Sequence, residues 1–254
     1  MNEANITNSC PETIRKNHLE IITIDDQKFV FKENKKKTTI ESHKTAQAAS
    51  YIAGLLQLEN IVVQYTKHEL EKNNQQICGT ISKFIESDDD HKIVKIEDLN
   101  WDHISDENKN KLLRDLKKIA IYDYIIANTD RNTNNLLIDI KNFQIYAIDQ
   151  DECFDNFKSA KMKNIEKIIN NQIISYIDIK DDAIVKTYQS QEIEIKRDFI
   201  DKIMKIFTDK KSIQENLINY GISRQEINKM FARIENVLES ISSKAIYQTK
   251  LNFR

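Results

Sequence analysis

The first half of the chain alternates between strand-like and turn-like segments. β-Rich runs at His18–Ile24 and Lys28–Lys32 flank a short polar turn, and this arrangement predicts a hairpin. Small and apolar residues recur over Glu41–Leu58 at the spacing of one helix face, which predicts a helix. Two more apolar runs predict strands at Ile61–Thr66 and Gln76–Ile85. The N-terminal part is therefore expected to be a sheet accompanied by one helix.

The second half is dominated by helical periodicity. An apolar stripe over Leu112–Ala127 predicts a long helix that leads into a polar loop. Leu136–Asp139 and Phe143–Asp149 then predict a second hairpin. A capping box, Ser223 followed three residues later by Glu226, opens an amphipathic C-terminal helix. Helices are thus expected to surround a single hairpin in this part of the chain.

These patterns predict an α+β fold with two lobes that share a cleft. We expect residues 1–87 to form a strand-rich small lobe and residues 88–254 to form a mostly helical lobe. The connection between them is placed near Phe84–Ser87. A chain of 254 residues can bury one large domain built in this way.

Composition narrows the possible classes of protein. The chain is 40% hydrophobic and 31% charged, which is ordinary for a globular protein. Its formal net charge of −2 gives no general attraction to nucleic acid or to a membrane. No apolar run reaches the roughly 18 to 20 residues that span a bilayer. Met1–Cys10 lacks the pattern of a secretory signal, so a cytoplasmic protein is predicted.

Residue spacing also argues against several common kinds of site, and favours cysteines that are ordinary thiols over a disulfide or a metal site. The three cysteines are scattered, and the five histidines form no pair at zinc-ligand spacing. The chain contains only three glycines, so neither a G-x-G-x-x-G loop nor a Walker loop can exist. Any nucleotide must therefore be held without a glycine-rich phosphate loop.

The most informative segment runs from Ile121 to Phe154. A helix delivers Asp130, Asn135 follows five residues later, and a hairpin returns the chain to Asp149. In phosphoryl transfer, one carboxylate orients or deprotonates the acceptor hydroxyl, a role that suits Asp130. Carboxylate and amide oxygens also hold Mg²⁺ on the ATP phosphates, a role that suits Asn135 and Asp149. The segment therefore predicts a catalytic and metal-binding centre for phosphoryl transfer.

The N-terminal part offers the cation that such a site requires. Side chains alternate along a strand, so Val30 and Lys32 share one face. Val30 would pack on the adenine while the Lys32 ammonium reaches the phosphates. A lysine in this role is usually fixed by an acid of the following helix, and Glu41 is the acid in the first half of that helix. Within the catalytic segment, Asp123 is interpreted as a structural acceptor for the loop.

The segment Asn128-Thr129-Asp130-Arg131 through Asn135, followed by Ile148-Asp149, resembles the atypical kinase clan. That clan joins phosphatidylinositol 3- and 4-kinases with HipA-type toxin kinases. The resemblance implies a protein-kinase-like fold and the use of ATP and Mg²⁺. It also implies that Asp130 is the catalytic aspartate, that Asn135 and Asp149 are metal ligands, and that Lys32 is the ATP lysine.

The same resemblance extends to further nucleotide contacts. Asn8-Ser9-Cys10-Pro11 resembles the Ser-x-Pro phosphate loop of HipA-like kinases, so Ser9 would cover the phosphates. Phe84 and Ile85, at the connection between the lobes, and Ile148, beside the metal aspartate, would line the nucleotide site. The family places a small or glycine-containing turn after the metal aspartate, whereas this chain has Gln150-Asp151-Glu152. These acids would either add a metal ligand or repel ATP.

Several functions remain open at this stage. A serine or threonine of a protein is the first choice of acceptor, and a phosphoinositide is the second. Lys158, Lys161, Lys163 and Lys167 would contact an anionic headgroup if they line the cleft. A pseudokinase that binds nucleotide or serves as a scaffold is an alternative, as is a helical binding protein unrelated to kinases. A toxin paired with an antitoxin-like regulator and a bacterial effector delivered to a host cell are both compatible with a small kinase.

Overall fold

The part of the chain that the structure describes contains two antiparallel sheets and five α-helices with defined ends. The computed structural model describes residues 19–34, 41–154, 168–170, 186, 190 and 192–251, the last seven of these by their backbone alone. The first sheet has four strands in the order β1-β2-β4-β3, formed by Leu19–Ile24, Gln27–Glu33, Thr66–Lys72 and Gln75–Lys83 in chain order. The second sheet contains β5, Ile93–Lys95, β6, Leu136–Asp139, and β7, Gln144–Ala147.

Two of the helices are interspersed with the strands, and three follow them along the chain. Helix α1, Ser42–Leu55, lies between β2 and β3, and α2, Asp106–Ile126, precedes the second hairpin. Helices α3, α4 and α5 span Arg197–Thr208, Lys210–Asn219 and Arg224–Leu251. Among the described residues, no helix is long and apolar enough to cross a membrane. The result is the mixed α+β arrangement that the sequence predicts, with the strand-rich part first.

Most of the predicted elements are confirmed. The first hairpin, the helix after it, the second hairpin and the capping box are all present, and Ser223 Oγ accepts a hydrogen bond from the Glu226 amide at 3.2 Å. The strand predicted at Ile61–Thr66 is wrong, because β3 begins only at Thr66. Strand β3 has the sequence TKHELEK, and Leu70 is its one buried residue, so β3 contains no apolar run that would predict it. The short strand β5 was not predicted at all.

The apolar run before β3 pairs with the end of β7 instead of forming a strand of the first sheet. Ala147 of β7 donates its amide to the Ile61 carbonyl at 2.8 Å and accepts from the Val63 amide at 3.0 Å. Ile61 and Val62 are almost fully buried in the main core. This segment therefore ties the region before β3 to the end of the second hairpin, directly before Ile148.

Helix α1 packs closely against α2 because its inner face is made of small residues. Ala48, Ala49 and Ala53 are fully buried. The Tyr122 hydroxyl of α2 donates to the Ala49 carbonyl at 2.9 Å. Small side chains allow the two helix backbones to approach this closely. The contact fixes α1 on the helical part of the molecule.

Gly79 allows an equally close approach inside the first sheet. A Cβ atom there would collide with the Lys32 carbonyl and lie 2.8 Å from the Phe31 ring. The missing side chain therefore lets β4 lie against the stretch of β2 that carries Lys32.

Candidate active site

Asparagine side chains hold the loop that carries Asp130. Asn128 Oδ1 accepts from the Asp130 amide at 3.1 Å, and Asn128 Nδ2 donates to Asp123 Oδ1 at 2.9 Å. The Asp130 carbonyl accepts from Asn132 Nδ2 at 3.0 Å and from Asn135 Nδ2 at 2.8 Å. The backbone of Asp130 is thus fixed on both sides, and its partly buried carboxylate is carried by a well-supported loop.

Arg131 joins the helix, the loop and the segment after β7. Its side chain is fully buried, and it donates from Nε and Nη2 to the two carboxylate oxygens of Asp123, at 2.8 and 3.1 Å. Its Nη1 donates to the carbonyls of Asn135, at 3.0 Å, and Ile148. The Asp123 side chain is also fully buried. The interpretation of Asp123 as a structural acceptor for the loop is confirmed by these contacts.

Asn135 and Asp149 are brought together by backbone contacts. The Ile148 amide donates to the Asn135 carbonyl at 3.0 Å. Asp149 has a left-handed backbone with φ of 61°, and its amide donates to the Tyr65 hydroxyl at 2.9 Å. Because the Asn135 side-chain nitrogen is committed to the Asp130 carbonyl, its Oδ1 is the atom left to act as an acceptor or ligand.

Lys32 reaches from the first sheet to the segment after the second hairpin. Its ammonium forms ion pairs with the carboxylates of Asp149 and, at 3.0 Å, Asp151. Burial of Lys32 disfavours its charged form, but the two carboxylates outweigh this effect and raise its pKa. Lys32 is therefore a cation at neutral pH, although only 18% of its side chain is exposed.

The two carboxylates beside Lys32 respond in opposite directions. Burial would raise the pKa of Asp149, but the Lys32 ammonium outweighs burial and holds this pKa below its ordinary value. Burial raises the pKa of Asp151, and the adjacent Asp149 carboxylate raises it further against the pull of Lys32. The Lys32 ammonium therefore favours the ionised form of Asp149, whereas a proton is held more readily by Asp151.

The residues after Asp149 are anchored to α1 and to the loop that follows α2. Thr45 Oγ1 donates to the Asp151 carbonyl at 2.7 Å, and Cys153 Sγ donates to the Thr45 carbonyl at 3.5 Å. The Thr129 amide donates to the Glu152 carbonyl at 3.2 Å. These contacts give Asp151 a fixed position beside Lys32, so the acidic tripeptide after Ile148-Asp149 has an ordered place in the site.

Some of the predicted nucleotide contacts lie in the described part of the chain, and others lie outside it. Val30 lies on the same face of β2 as Lys32 and is partly buried. The Phe84 amide donates to the Lys28 carbonyl at 3.0 Å, which extends the sheet to the predicted connection, and Ile85 is partly buried. Ser9 and the lysine cluster at 158–167 lie outside the described residues.

Glu41 does not occupy the position predicted for it. The sequence analysis paired it with Lys32, but Lys32 binds Asp149 and Asp151 instead. Glu41 is the N-cap residue of α1 and forms an ion pair with Lys44 at 2.7 Å. At the start of the helix, its side chain pairs with the next turn of α1. The pairing of Glu41 with Lys32 is therefore corrected.

Some contacts of the candidate site do not follow from the sequence reasoning. That reasoning gives the acids after Asp149 a role as an additional metal ligand or as a source of repulsion towards ATP, but it misses the contact of Asp151 with Lys32. Tyr65 and Thr45 are missed altogether. Their contacts cross 84 and 106 positions of the chain, respectively. The sequence does give one signal, the tripeptide Gln150-Asp151-Glu152, which places extra acids directly after Asp149, the predicted metal ligand.

The donor atoms at this place suit Mg²⁺. The ion prefers a few hard oxygen ligands and retains several waters. Asn135 Oδ1 and the Asp149 carboxylate provide such oxygens, and 36% of the Asp149 side chain is exposed. In the described part of the chain, no three histidine, cysteine or acidic side chains converge as a metal cluster. A site with few protein ligands that is completed by phosphate and water fits these residues.

Comparison with known proteins identifies a family. The model of the family "Phosphatidylinositol 3- and 4-kinase" matches residues 27–222, which include Lys32, Asp130, Asn135 and Asp149. No curated protein sequence matches the chain.

One solved structure shows the fold. A crystal structure of the Helicobacter pylori proinflammatory kinase CtkA has a TM-score of 0.54 and 14% sequence identity, and the alignment covers 96% of each chain. This likeness shows a kinase fold. The open conformation of CtTel1 and its FAT and kinase domain have TM-scores of 0.41 and 0.42, at 12% and 11% identity. They cover 89% of this chain but only 11% and 20% of the CtTel1 chains.

Proposed function

This chain belongs to the phosphatidylinositol 3- and 4-kinase family, and on that premise we propose that it is an ATP- and Mg²⁺-dependent phosphotransferase with its active centre between Lys32, Asp130, Asn135 and Asp149. Residues up to 87 would form the lobe that covers ATP, and residues 88–254 would carry the catalytic and metal-binding loops. The HipA-type branch of the resemblance remains part of this proposal.

One observation carries the proposal. The Lys32 ammonium contacts the Asp149 carboxylate although 117 positions of sequence separate them. A cation from the sheet and a metal-binding acid from the helical part therefore meet at one place. Asn135 is held beside the same segment through the Ile148 amide. Phosphoryl transfer depends mostly on such positioning and neutralisation of charge.

The reaction assigns a role to each residue. Asp130 accepts a hydrogen bond from the acceptor hydroxyl and takes its proton as the oxygen bonds to the γ-phosphorus. The bond between the γ-phosphorus and the bridging oxygen breaks, and ADP leaves. Lys32 neutralises phosphate charge, while Asn135 and Asp149 would hold Mg²⁺. When bound, the metal ion neutralises further charge on the phosphates.

Nucleotide would lie between the sheet and these loops. Val30 would contact the adenine from the face of β2 that carries Lys32. Phe84, Ile85 and Ile148 would supply the remaining apolar contacts, and Ser9 would cover the phosphates.

We infer that the acceptor is a serine or threonine of a protein. The net charge of −2 supplies no general attraction to an anionic lipid surface, which supports a protein acceptor. The family description favours a second candidate, the headgroup of a phosphoinositide. An antitoxin-like regulator and delivery to a host cell stay predictions from sequence.

A phosphotransfer assay with radiolabelled ATP tests this function. Purified protein is incubated with Mg²⁺ and either a mixture of general protein substrates or phosphatidylinositol vesicles. Label transferred by wild type but lost in Asp130→Asn supports the enzymatic proposal, and the labelled acceptor decides between protein and lipid. Asp90→Asn, a change at an exposed acid, serves as the control. Binding of ATP without transfer to any acceptor, unchanged by Asp130→Asn, would favour a pseudokinase.

A further inference from the structure

Lys32 has two acidic partners where a nucleotide lysine needs only one. Its ammonium contacts Asp149 and, at 3.0 Å, Asp151. The Asp151 side chain is 18% exposed, as is that of Lys32, whereas the Asp149 side chain is 36% exposed. The contact with Asp151 is therefore the more deeply buried of the two.

The two carboxylates cannot serve Lys32 equally once nucleotide is bound. Asp149 would then be committed to the metal ion, under the function proposed above. A lysine that has entered a partly buried site needs a remaining anionic partner to stay charged and oriented. Helix α1 cannot supply it, because Ser42–Leu55 contains no aspartate or glutamate. Glu41, directly before the helix, pairs with Lys44.

We propose that Asp151 is the positioning residue for the nucleotide lysine, taking the place that an acid of helix α1 was expected to fill. This inference rests on the proposed binding of ATP at Lys32. It assigns Asp149 to the metal ion and Asp151 to Lys32, so that one short stretch of chain positions both cations of the site.

Helix α1 still helps to position Lys32, because it contacts the backbone of the segment that carries Asp151. Thr45 Oγ1 donates to the Asp151 carbonyl at 2.7 Å and also lies 2.9 Å from the Ser42 carbonyl. Cys153 Sγ returns a contact to the Thr45 carbonyl. The helix therefore holds the main chain of the acidic segment, and the acid reaches Lys32 from there. A shift of α1 would displace Asp151 and, through it, Lys32.

A different role for Asp151, as an additional metal ligand, makes an opposite prediction. A metal ligand would act on the Mg²⁺ requirement and would do so whether or not Lys32 is present. A residue that acts through Lys32 should lose its effect once Lys32 is gone. A double-mutant cycle on nucleotide binding separates the two roles.

The experiment measures the Kd of ATP by calorimetry at saturating Mg²⁺ and then titrates Mg²⁺ at fixed ATP. Asp151→Asn should weaken ATP binding about tenfold in the wild type, equivalent to about 1.4 kcal/mol, but less than about twofold in Lys32→Met. The Mg²⁺ concentration for half-saturation should rise in Asp149→Asn and stay near the wild-type value in Asp151→Asn. Glu41→Gln should show no coupling to Lys32→Met. Equal losses from Asp151→Asn in both backgrounds, or a shifted Mg²⁺ requirement, would overturn the assignment.

A second readout needs no nucleotide and so separates this inference from the proposed function. Lysine acylation followed by mass spectrometry reports how firmly Lys32 is held, with Lys28 on the same strand as the internal reference. In the Asp149→Asn background, adding Asp151→Asn should raise labelling of Lys32 severalfold relative to Lys28. An unchanged ratio would contradict the role of Asp151. If the wild type binds no ATP and the two variants still differ in labelling in this way, the proposed function is refuted while the contact of Asp151 with Lys32 stands.

Discussion

Replacing Arg131 by methionine should destabilise the protein far more than the loss of a typical ion pair. The arginine and its partner Asp123 both have fully buried side chains, and two hydrogen bonds of 2.8 and 3.1 Å join them. Removing the guanidinium leaves the Asp123 carboxylate as an uncompensated buried charge. Breaking a buried pair in this way costs about 3–5 kcal/mol. The substitution also removes the donor that serves the carbonyls of Asn135 and Ile148.

The chain offers a matched control on its surface. Arg197 donates to Asp201 from the same atom type at 2.9 Å, but their side chains are 79% and 55% exposed. An exposed pair of this kind is worth about 0.2–1 kcal/mol. Arg197→Met should therefore have little effect, although the bond length is nearly the same as that of the buried pair.

Urea denaturation followed by circular dichroism measures both changes as differences in the free energy of unfolding. We expect a loss of about 3–5 kcal/mol for Arg131→Met, which corresponds to a fall of roughly 6–20 °C in melting temperature. The double variant Arg131→Met/Asp123→Leu should recover part of the loss, because it removes the stranded charge. If Arg131→Met costs no more than Arg197→Met, the buried pair does not support the active site as described.

Three further predictions follow from other contacts. Gly79→Ala should destabilise the protein by about 1–3 kcal/mol in the same urea assay, because the added Cβ collides with a backbone carbonyl of β2. Gly54→Ala is the control: this glycine lies in a helix, and the nearest atom to an added Cβ is 3.6 Å away, so the change should be neutral or stabilising by up to about 1 kcal/mol. Tyr65→Phe should cost about 1–3 kcal/mol and weaken ATP binding in calorimetry, because it leaves the Asp149 amide without its acceptor; unchanged binding would count against this role. Burial lowers the pKa of Lys117 to about 7 in the folded protein. Above pH 7 the unfolded state therefore binds more protons than the folded state, so the free energy of unfolding should rise with pH towards pH 10. Compared with Lys117→Met, the rise should be at most about 1.4 kcal/mol per pH unit. Parallel curves of stability against pH for the two proteins would contradict that shift.

The parts of the candidate site that depend on local sequence could be placed from the sequence. Asp130, Asn135 and Asp149 lie within 20 residues, joined by one helix end and one hairpin, and both elements have clear periodicity. The position of Lys32 followed from the alternation of side chains along β2. These inferences needed only spacing and the geometry of single elements.

The remaining parts depend on contacts between distant segments. Nothing near Lys32 in sequence indicates that Asp151 lies beside it, since this partner is determined by how α1, β2 and the second hairpin pack. The run Ile61–Thr66 was assigned to a strand because it is apolar, yet its first residues are buried against β7. Strand β3, which follows, is mostly exposed and gives no apolar signal. Burial in the folded chain, rather than local propensity, decided these cases.

The most direct test of the account is the effect of ATP and Mg²⁺ on thermal stability, in wild type and in Asp149→Asn. A ligand that binds only the folded state at 100 times its Kd adds about 2.7 kcal/mol, or roughly 5–10 °C for a chain of this size. The account predicts a Mg²⁺-dependent rise in melting temperature for the wild type that is lost in Asp149→Asn. No rise in the wild type at millimolar ATP would contradict the assignment of this site to ATP-dependent phosphoryl transfer.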